Sequence, residues 1–202
     1  MLAAIQDTKH NQRQEQTPPI HWKGVLLMKD PFSLASYPML LQELRPRTVI
    51  ELGAFQGGSA VWLADLLDVF EVADSSVHSF DIDTALIRAD HPSVTFHYAD
   101  STRPETYSRP LLESLPHPWL VIEDAHTNVF GMLTYLDGLL HTGDYVVVED
   151  VGLPNQYGGP YQDMKRFLSE TDGQYLIDTR YTDLFGYNVT WHVNGYIRKM
   201  HD

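Results

Sequence analysis

The 202-residue chain contains no cysteine, which removes disulfide bridges and thiolate metal ligands from consideration and accords with a cytoplasmic setting. It is also short of positive charge: 14 Lys and Arg stand against 27 Asp and Glu, a formal net charge of −13. A surface that acidic repels phosphate backbones and anionic lipid, so the expected partner is neither nucleic acid nor a membrane. It tolerates a cationic ligand and leaves carboxylates for a metal ion, although acidity also serves solubility alone. No apolar run approaches the length of a membrane span. Residues 1–19 lack the basic start, apolar stretch and small-residue cleavage site of a secretory signal. They are polar, rich in Gln and closed by Pro18-Pro19, and are expected to form a flexible N-terminal arm. What is abundant is core material: 43% hydrophobic residues with eight Phe, eleven Tyr and four Trp point to one globular domain over residues 20–202.

Within that domain, Leu34, Tyr37, Leu40, Leu41 and Leu44 fall at helical spacing between Pro31 and Leu44, and Pro46 stops the pattern. Short apolar runs follow, most of them closing on acidic or small residues. Arg47 to Gly53, Val77 to Asp81, Val94 to Tyr98, Trp119 to Ile122 and Asp144 to Val148 read as strands. Ser59 to Leu67 and Val129 to Leu140 read as helices, the latter terminated by Gly143, and Met164 to Leu168 as another. Tyr175 to Asp178 and Val189 to Ile197 read as closing strands, with Trp191 and His192 as packing residues. Strands apolar throughout and separated by helices indicate a parallel sheet covered on both faces. The fold class is therefore α/β: a single Rossmann-like, doubly wound, mostly parallel sheet with helices on both faces and an antiparallel C-terminal strand pair. Such sheets bind ligands at the carboxyl ends of their strands, where this chain places its acids.

The first of those ends is Glu51-Leu52-Gly53-Ala54-Phe55-Gln56-Gly57-Gly58-Ser59. Its glycines allow a sharp turn and close backbone approach to a ligand. The turn lacks the middle glycine of a dinucleotide fingerprint and carries Glu51 instead, which disfavours pyrophosphate and favours a cationic or amino-bearing ligand. An ordinary strand-to-helix connection is the plainer reading. Asp81 ends the second strand, where a carboxylate accepts hydrogen bonds from ribose hydroxyls; Asp83 lies beyond that end. After the third strand, Asp100-Ser101 is placed to read an adenine edge, although such a pair also caps turns. Taken together these three ends resemble the cofactor pocket of class I S-adenosylmethionine-dependent methyltransferases.

The fourth and fifth strands end in Glu123-Asp124-Ala125-His126 and Glu149-Asp150. Four carboxylates at neighbouring ends repel one another unless a proton or cation intervenes. Oxygen ligands without cysteine suit Mg²⁺, Mn²⁺ or Ca²⁺. The expected metal ligands are Glu123, Asp124, Glu149 and Asp150, with only one of the adjacent Glu123 and Asp124 facing the ion. Such an ion lowers the pKa of a bound hydroxyl, and His126, with Asp124, is the candidate catalytic pair, the histidine acting as general base. Helix or turn capping by Asp124 and Asp150 is the competing account. Loops 152–161 and 181–187 are candidates to shape an acceptor pocket, or are plain surface connections.

An ordered set of motifs narrows this further. Trp22-Lys23-Gly24, Lys29-Asp30-Pro31-Phe32, the run from Val49 to Leu67, Phe80 to Asp83, Tyr98 to Thr102, Ile122 to Asn128, Gly143 to Val151 and Asn194 to Lys199 follow one another. Together they resemble the cephalosporin hydroxylase-like family, which includes cephamycin-type, macrolide-sugar and rhamnosyl O-methyltransferases. The resemblance covers nearly everything from His21 to Lys199. It implies Mg²⁺-assisted methyl transfer from S-adenosylmethionine to a hydroxyl of a small secondary metabolite, in a homo-oligomer. It places Glu51, Gly53, Gly57, Gly58, Ser59, Asp81 and Asp100 at the cofactor, Glu149 and Asp150 at the metal, and His126 as the base. Relatives often carry Asp three residues before that histidine, where this chain has Glu123, so the third ligand stays open between Glu123 and Asp124. The alternatives are a nicotinamide-dependent oxidoreductase on a similar sheet, or a relative that binds the cofactor without catalysis.

Overall fold

The computed structural model describes residues 20–152, 159–184, 186–187 and 189–202. The expected arm 1–19 lies outside them, as do 153–158 of the first candidate loop and 185 of the second. The described chain enters through a hairpin that periodicity does not announce: β1 (His21–Trp22) pairs antiparallel with β2 (Val25–Leu26). Its two-residue turn, Lys23 and Gly24, has positive φ at both positions, 48° and 83°, the twist that suits a tight hairpin. There follow α1 (Ser33–Leu44), β3 (Thr48–Leu52), α2 (Gly58–Val69), β4 (Ser76–Asp81), β5 (Val94–Tyr98), α3 (Arg109–Ser114) and β6 (Trp119–Glu123). The chain closes with α4 (Val129–Asp137), β7 (Tyr145–Val148), α5 (Pro160–Glu170), β8 (Tyr175–Ile177), α6 (Thr179–Thr182) and β9 (Tyr196–Lys199).

β3 to β9 form one seven-stranded sheet in the order β5-β4-β3-β6-β7-β9-β8. β3 to β7 run parallel, while β9 is antiparallel to both β7 and β8. Alternate residues of each inner strand feed opposite layers, as pleating requires. In β6, Trp119 and Val121 join Met132, Leu133, Leu136, Met164 and Phe167 of α4 and α5. Leu120 and Ile122 join Tyr37, Leu40, Leu63 and Leu67 of α1 and α2 on the other face. This is the doubly wound α/β sheet that the uniformly apolar strand runs predict.

Two boundaries differ from expectation. α4 stops at Asp137, because Gly138 supplies its C-cap before Gly143 is reached. The expected strand Val189 to Ile197 shrinks to Tyr196–Lys199. Residues 191–195 turn instead, with Asn194 at φ 56° and Gly195 so near β7 that a Cβ would meet the Val148 carbonyl oxygen at 2.2 Å. The β-branched pattern of Val189 to Val193 mimics a strand, but the packing at Gly195 wins. In the second candidate loop, Tyr181 is core: it stacks on Tyr196 and meets Tyr145 edge-on.

Between β4 and β5 the chain makes only a short 3-10 turn, Thr84–Leu86, so one face of that edge is thinly covered. His78 and His97 stack there at 5.3 Å, with Nδ1 of the first 3.0 Å from Nε2 of the second. Burial, and then the neighbouring His97, lower the His78 pKa from 6.5 to about 4. The folded state therefore prefers neutral His78, and its contribution to stability is full above pH 6.5 and lost as pH falls toward 4. His78→Gln is expected to shrink the acid-induced fall in Tm across that window by a few degrees. Parallel melting curves for the two proteins at both ends of the window would refute this.

Candidate active site

Hydrogen bonds continue past the last strand residues and draw the acidic ends together. Asp124 N donates to Leu52 O and Glu149 N to Glu123 O, both at 2.9 Å, while Gly53 and Ala54 donate to Phe80 O. Register sets Leu52 beside both Phe80 and Glu123, and Glu123 beside Val148. The order of the strands reverses at β3, with β4 on one side and β6 on the other. The crevice at such a switch point is where open α/β sheets take their ligands.

The glycine turn leans on β6 rather than merely following β3. At Gly53, φ is 102° and a Cβ would lie 2.9 Å from the Asp124 carbonyl and the Ala125 nitrogen. Phe55 N donates to Asp81 Oδ2 at 2.7 Å and Asp83 N to Oδ1 at 2.8 Å, so Asp81 straps the turn in place. Glu51 is fully buried beneath it. Burial raises its pKa, opposed by Lys29 and by hydrogen bonds from the hydroxyls of Ser59 and Ser79. Glu51, Gly53, Gly57, Ser59 and Asp81 thus gather around one turn. Gly58 has a different local duty: a Cβ there would come within 2.0 Å of the Leu26 carbonyl oxygen, so it makes room for the hairpin. Asp100 accepts from the backbone and hydroxyl of Thr102 and from Arg103, which makes it the cap, and Ser101 Oγ pairs with Tyr107 OH at 2.8 Å.

At the ends of β6 and β7 the carboxylates meet a cation that the motif reading passed over. Lys29, fully buried, donates to Asp124 Oδ2 at 2.7 Å and to Glu149 Oε1 at 2.6 Å. Tyr37 OH also donates to Glu149 Oε1, at 2.5 Å. Burial alone disfavours a charged Glu149, but the charge and hydrogen bond of Lys29, with the hydrogen bond of Tyr37, outweigh it and hold its carboxyl down to about 2. One ammonium cannot neutralise two acids, and Asp124 is raised by burial and by the Glu149 charge. Glu123 accepts from His126 N at 3.2 Å through Oε1, and burial followed by that hydrogen bond and the Glu149 charge leaves its pKa at about 8. His126, at φ 55°, sets Nε2 3.4 Å from Asp124 Oδ1 and 4.0 Å from Asp150 Oδ2. Burial lowers its pKa, which keeps the imidazole neutral.

His192 belongs to this network and not to a packed strand. Its Nδ1 accepts from Asp150 N at 2.9 Å, so the ring proton sits on Nε2 and is donated to Ser33 Oγ at 2.8 Å. Ser33 Oγ in turn donates to Asp30 Oδ2. This chain of bonds fixes Asp150 in its left-handed conformation, φ 54°. Lys29 sits in the Lys29-Asp30-Pro31-Phe32 motif, but neither it nor His192 announces its role locally, because their partners lie 95, 120 and 159 residues away.

The expected metal ligands share one locality without presenting three mutually close ligand atoms. Among the described residues only Asp65, Asp68 and His91 do so within 4.8 Å, and there Lys23 already neutralises Asp65 at 2.6 Å. The donors at β6 and β7 nevertheless suit a hard divalent ion. They are oxygens, and two buried polar atoms beside them, Glu123 Oε2 and His126 Nε2, have no hydrogen-bond partner among the described residues.

A family model described as Rhamnosyl O-methyltransferase/CmcI matches residues 14–200. The rhamnosyl O-methyltransferase of Mycobacterium leprae (strain TN) is 30% identical over 191 residues, covering 87% of this chain and 81% of that protein. An apo structure of CmcI aligns with a TM-score of 0.77 at 27% identity, covering 95% of this chain and 84% of its own. A CmcI structure with Mg-SAM aligns with a TM-score of 0.76 at 28% identity, covering 94% and 83%. The chain therefore belongs to the rhamnosyl O-methyltransferase/CmcI family of S-adenosylmethionine-dependent O-methyltransferases.

Proposed function

We propose that this chain methylates a hydroxyl of a small natural product, sugar-bearing or antibiotic-like, with S-adenosylmethionine in the crevice at β3 and β4 and Mg²⁺ at the ends of β6 and β7. The observation that carries the reading is a pair of buried atoms without a hydrogen-bond partner among the described residues, Glu123 Oε2 and His126 Nε2, beside Asp124, Glu149 and Asp150. When bound, S-adenosylmethionine supplies an electrophilic methyl group and Mg²⁺ acidifies the acceptor hydroxyl. Gly53, Gly57 and Asp81 shape the cofactor's bed, with Glu51 and Ser59 supporting it from below. Asp124 and Asp150 would hold the ion, with Glu123 and Glu149 completing the ring of acids. His126 accepts the acceptor's hydroxyl proton at Nε2, and Asp124 Oδ1 and Asp150 Oδ2 beside it stabilise the resulting imidazolium. Holding both reactants in line supplies much of the remaining rate.

The acidic surface favours a neutral or cationic acceptor over nucleic acid or anionic lipid. No helix among the described residues is long and apolar enough to cross a membrane. A cytoplasmic homo-oligomer completes the reading. Calorimetry with S-adenosylmethionine, with NAD as control, in Mg²⁺ and again in EDTA, is the direct test. Micromolar-range binding of the sulfonium cofactor alone is expected. Asp150→Ala is expected to abolish metal-dependent methyl transfer while leaving cofactor affinity nearly unchanged. Wild-type turnover of that variant in EDTA would remove the metal from the proposal, and no cofactor binding by folded protein would remove the pocket.

A further inference from the structure

The cation inside the acid cluster is part of the polypeptide. The cluster has an inner and an outer layer. Lys29 and Glu149 have side-chain exposures of 1% and 4%, whereas Asp124, Asp150 and His126 have 23%, 27% and 32%. Lys29 spends its protons on the inner oxygens, Asp124 Oδ2 and Glu149 Oε1, the second of which Tyr37 also occupies. The oxygens left over, Asp124 Oδ1 and Asp150 Oδ2, flank His126 Nε2 in the outer layer. Glu51 adds a further charge acting on Lys29 from below the glycine turn. One lysine therefore stands among several carboxylates that burial would otherwise drive apart or force to take up protons.

We infer that Lys29 is a resident counter-ion and positioning residue: it keeps Asp124 and Glu149 assembled while no divalent ion is bound, turns Asp124 Oδ1 toward that ion, and by its own charge limits how tightly the ion is held. The inference rests on the metal-assisted reading above. Its physical content is that an ammonium in contact with two acids of the cluster does two opposed things. It stabilises the empty site, because two buried carboxylates with no cation repel each other. It also repels Mg²⁺, and at contact range a unit charge alters the affinity of a divalent ion at least roughly tenfold even with strong screening.

The test is calorimetric titration of MgCl₂ into wild type, Lys29→Met and Lys29→Arg, with melting curves of each in EDTA and in Mg²⁺. Lys29→Met is expected to melt well below wild type in EDTA, to recover most of that loss in Mg²⁺, and to bind Mg²⁺ roughly tenfold or more tightly than wild type. Lys29→Arg keeps the charge and is expected to keep the wild-type Mg²⁺ affinity to within about threefold. A residue with a merely structural role would lower Tm in both media and leave the ion's affinity unmoved or weakened. That result overturns the inference, as does Lys29→Arg tightening Mg²⁺ as much as Lys29→Met. Lys29→Gln, which retains an amide donor for one carboxylate, is run alongside, and the comparison holds for whichever uncharged variant folds. Folding of either only in Mg²⁺ supports the inference, and failure of both even in Mg²⁺ overturns it. If wild type itself takes up no Mg²⁺, the metal-assisted reading fails, whereas wild-type uptake without tightening in Lys29→Met condemns the counter-ion role alone.

Discussion

Replacing His126 with Asn is expected to lower kcat by about 10²- to 10⁴-fold, the usual worth of a positioned general base. Binding of S-adenosylmethionine and Mg²⁺ is expected to stay within a few-fold of wild type. Asn suits the test because His126 sits at φ 55°, a conformation Asn tolerates better than Ala does. The backbone bond from residue 126 to Glu123 Oε1, at 3.2 Å, survives the exchange, so the loop keeps its anchor. What disappears is a neutral ring nitrogen, buried and without a hydrogen bond among the described residues, between Asp124 Oδ1 at 3.4 Å and Asp150 Oδ2 at 4.0 Å. Those two acids lie near enough to stabilise a ring that gains a proton, and a ring nitrogen without a proton makes no hydrogen bond to a carboxylate beforehand. Burial lowers the ring's pKa, so the free base predominates at neutral pH and is ready to accept. Single-turnover methyl transfer with saturating cofactor isolates the chemical step from product release. A kcat within about threefold of wild type would assign the proton to another group and leave His126 as a mere loop residue.

The division between what the chain reveals locally and what it conceals follows interaction range. β3, β6 and β7 are visible because each is a short apolar run buried on both faces, while β4 is only partly buried and the edge strand β5 has no fully buried residue. Once those strands are parallel neighbours, their acidic ends must converge, which is why Glu51, Asp81, Glu123, Asp124, Glu149 and Asp150 could be singled out before any coordinates. Periodicity says nothing about which carboxylate meets which cation. Lys29 lies in an irregular stretch after β2 and reaches partners 95 and 120 residues on, and His192 meets Ser33 across 159 residues. The false strand at Val189 to Val193 has the same origin: its local pattern favours extension, but Gly195 must pass against the Val148 carbonyl. Glycine meanings also separate only in three dimensions. Gly53 and Gly58 occupy one motif, yet one touches the acid-bearing strand end and the other the N-terminal hairpin.

Gly53→Ala is expected to damage both the fold and the acid cluster through a single added methyl group. At φ 102° an L side chain is strained, at a cost of about 1–2 kcal/mol. The new Cβ would also lie 2.9 Å from the Asp124 carbonyl carbon and oxygen and from the Ala125 nitrogen. Those are backbone atoms, with no flexible side-chain end to swing away, so the overlap adds roughly 1–3 kcal/mol. The sum, about 2–5 kcal/mol, is a large fraction of a typical domain's net stability of about 5–15 kcal/mol. At about 2–4 °C per kcal/mol for a chain of this size, Tm falls by roughly 4–20 °C. Function is expected to suffer beyond the stability loss, because the peptide that must yield joins Asp124 to Ala125 and lies between Glu123 and His126. Displacing it disturbs the Lys29 contact to Asp124 and the bond from His126 N to Glu123 together. The glycine turn and the acid cluster are thus one mechanical unit, joined by the Asp124 N to Leu52 O bond on one side of Gly53 and the Gly53 N to Phe80 O bond on the other. The measurement is paired: a melting curve, and then cofactor and Mg²⁺ affinity well below the new Tm. Both affinities should fall in the variant at a temperature where it is fully folded. A Tm within about 2 °C of wild type would show that β6 gives way without cost, and normal Mg²⁺ affinity in a folded but less stable variant would uncouple the turn from the cluster.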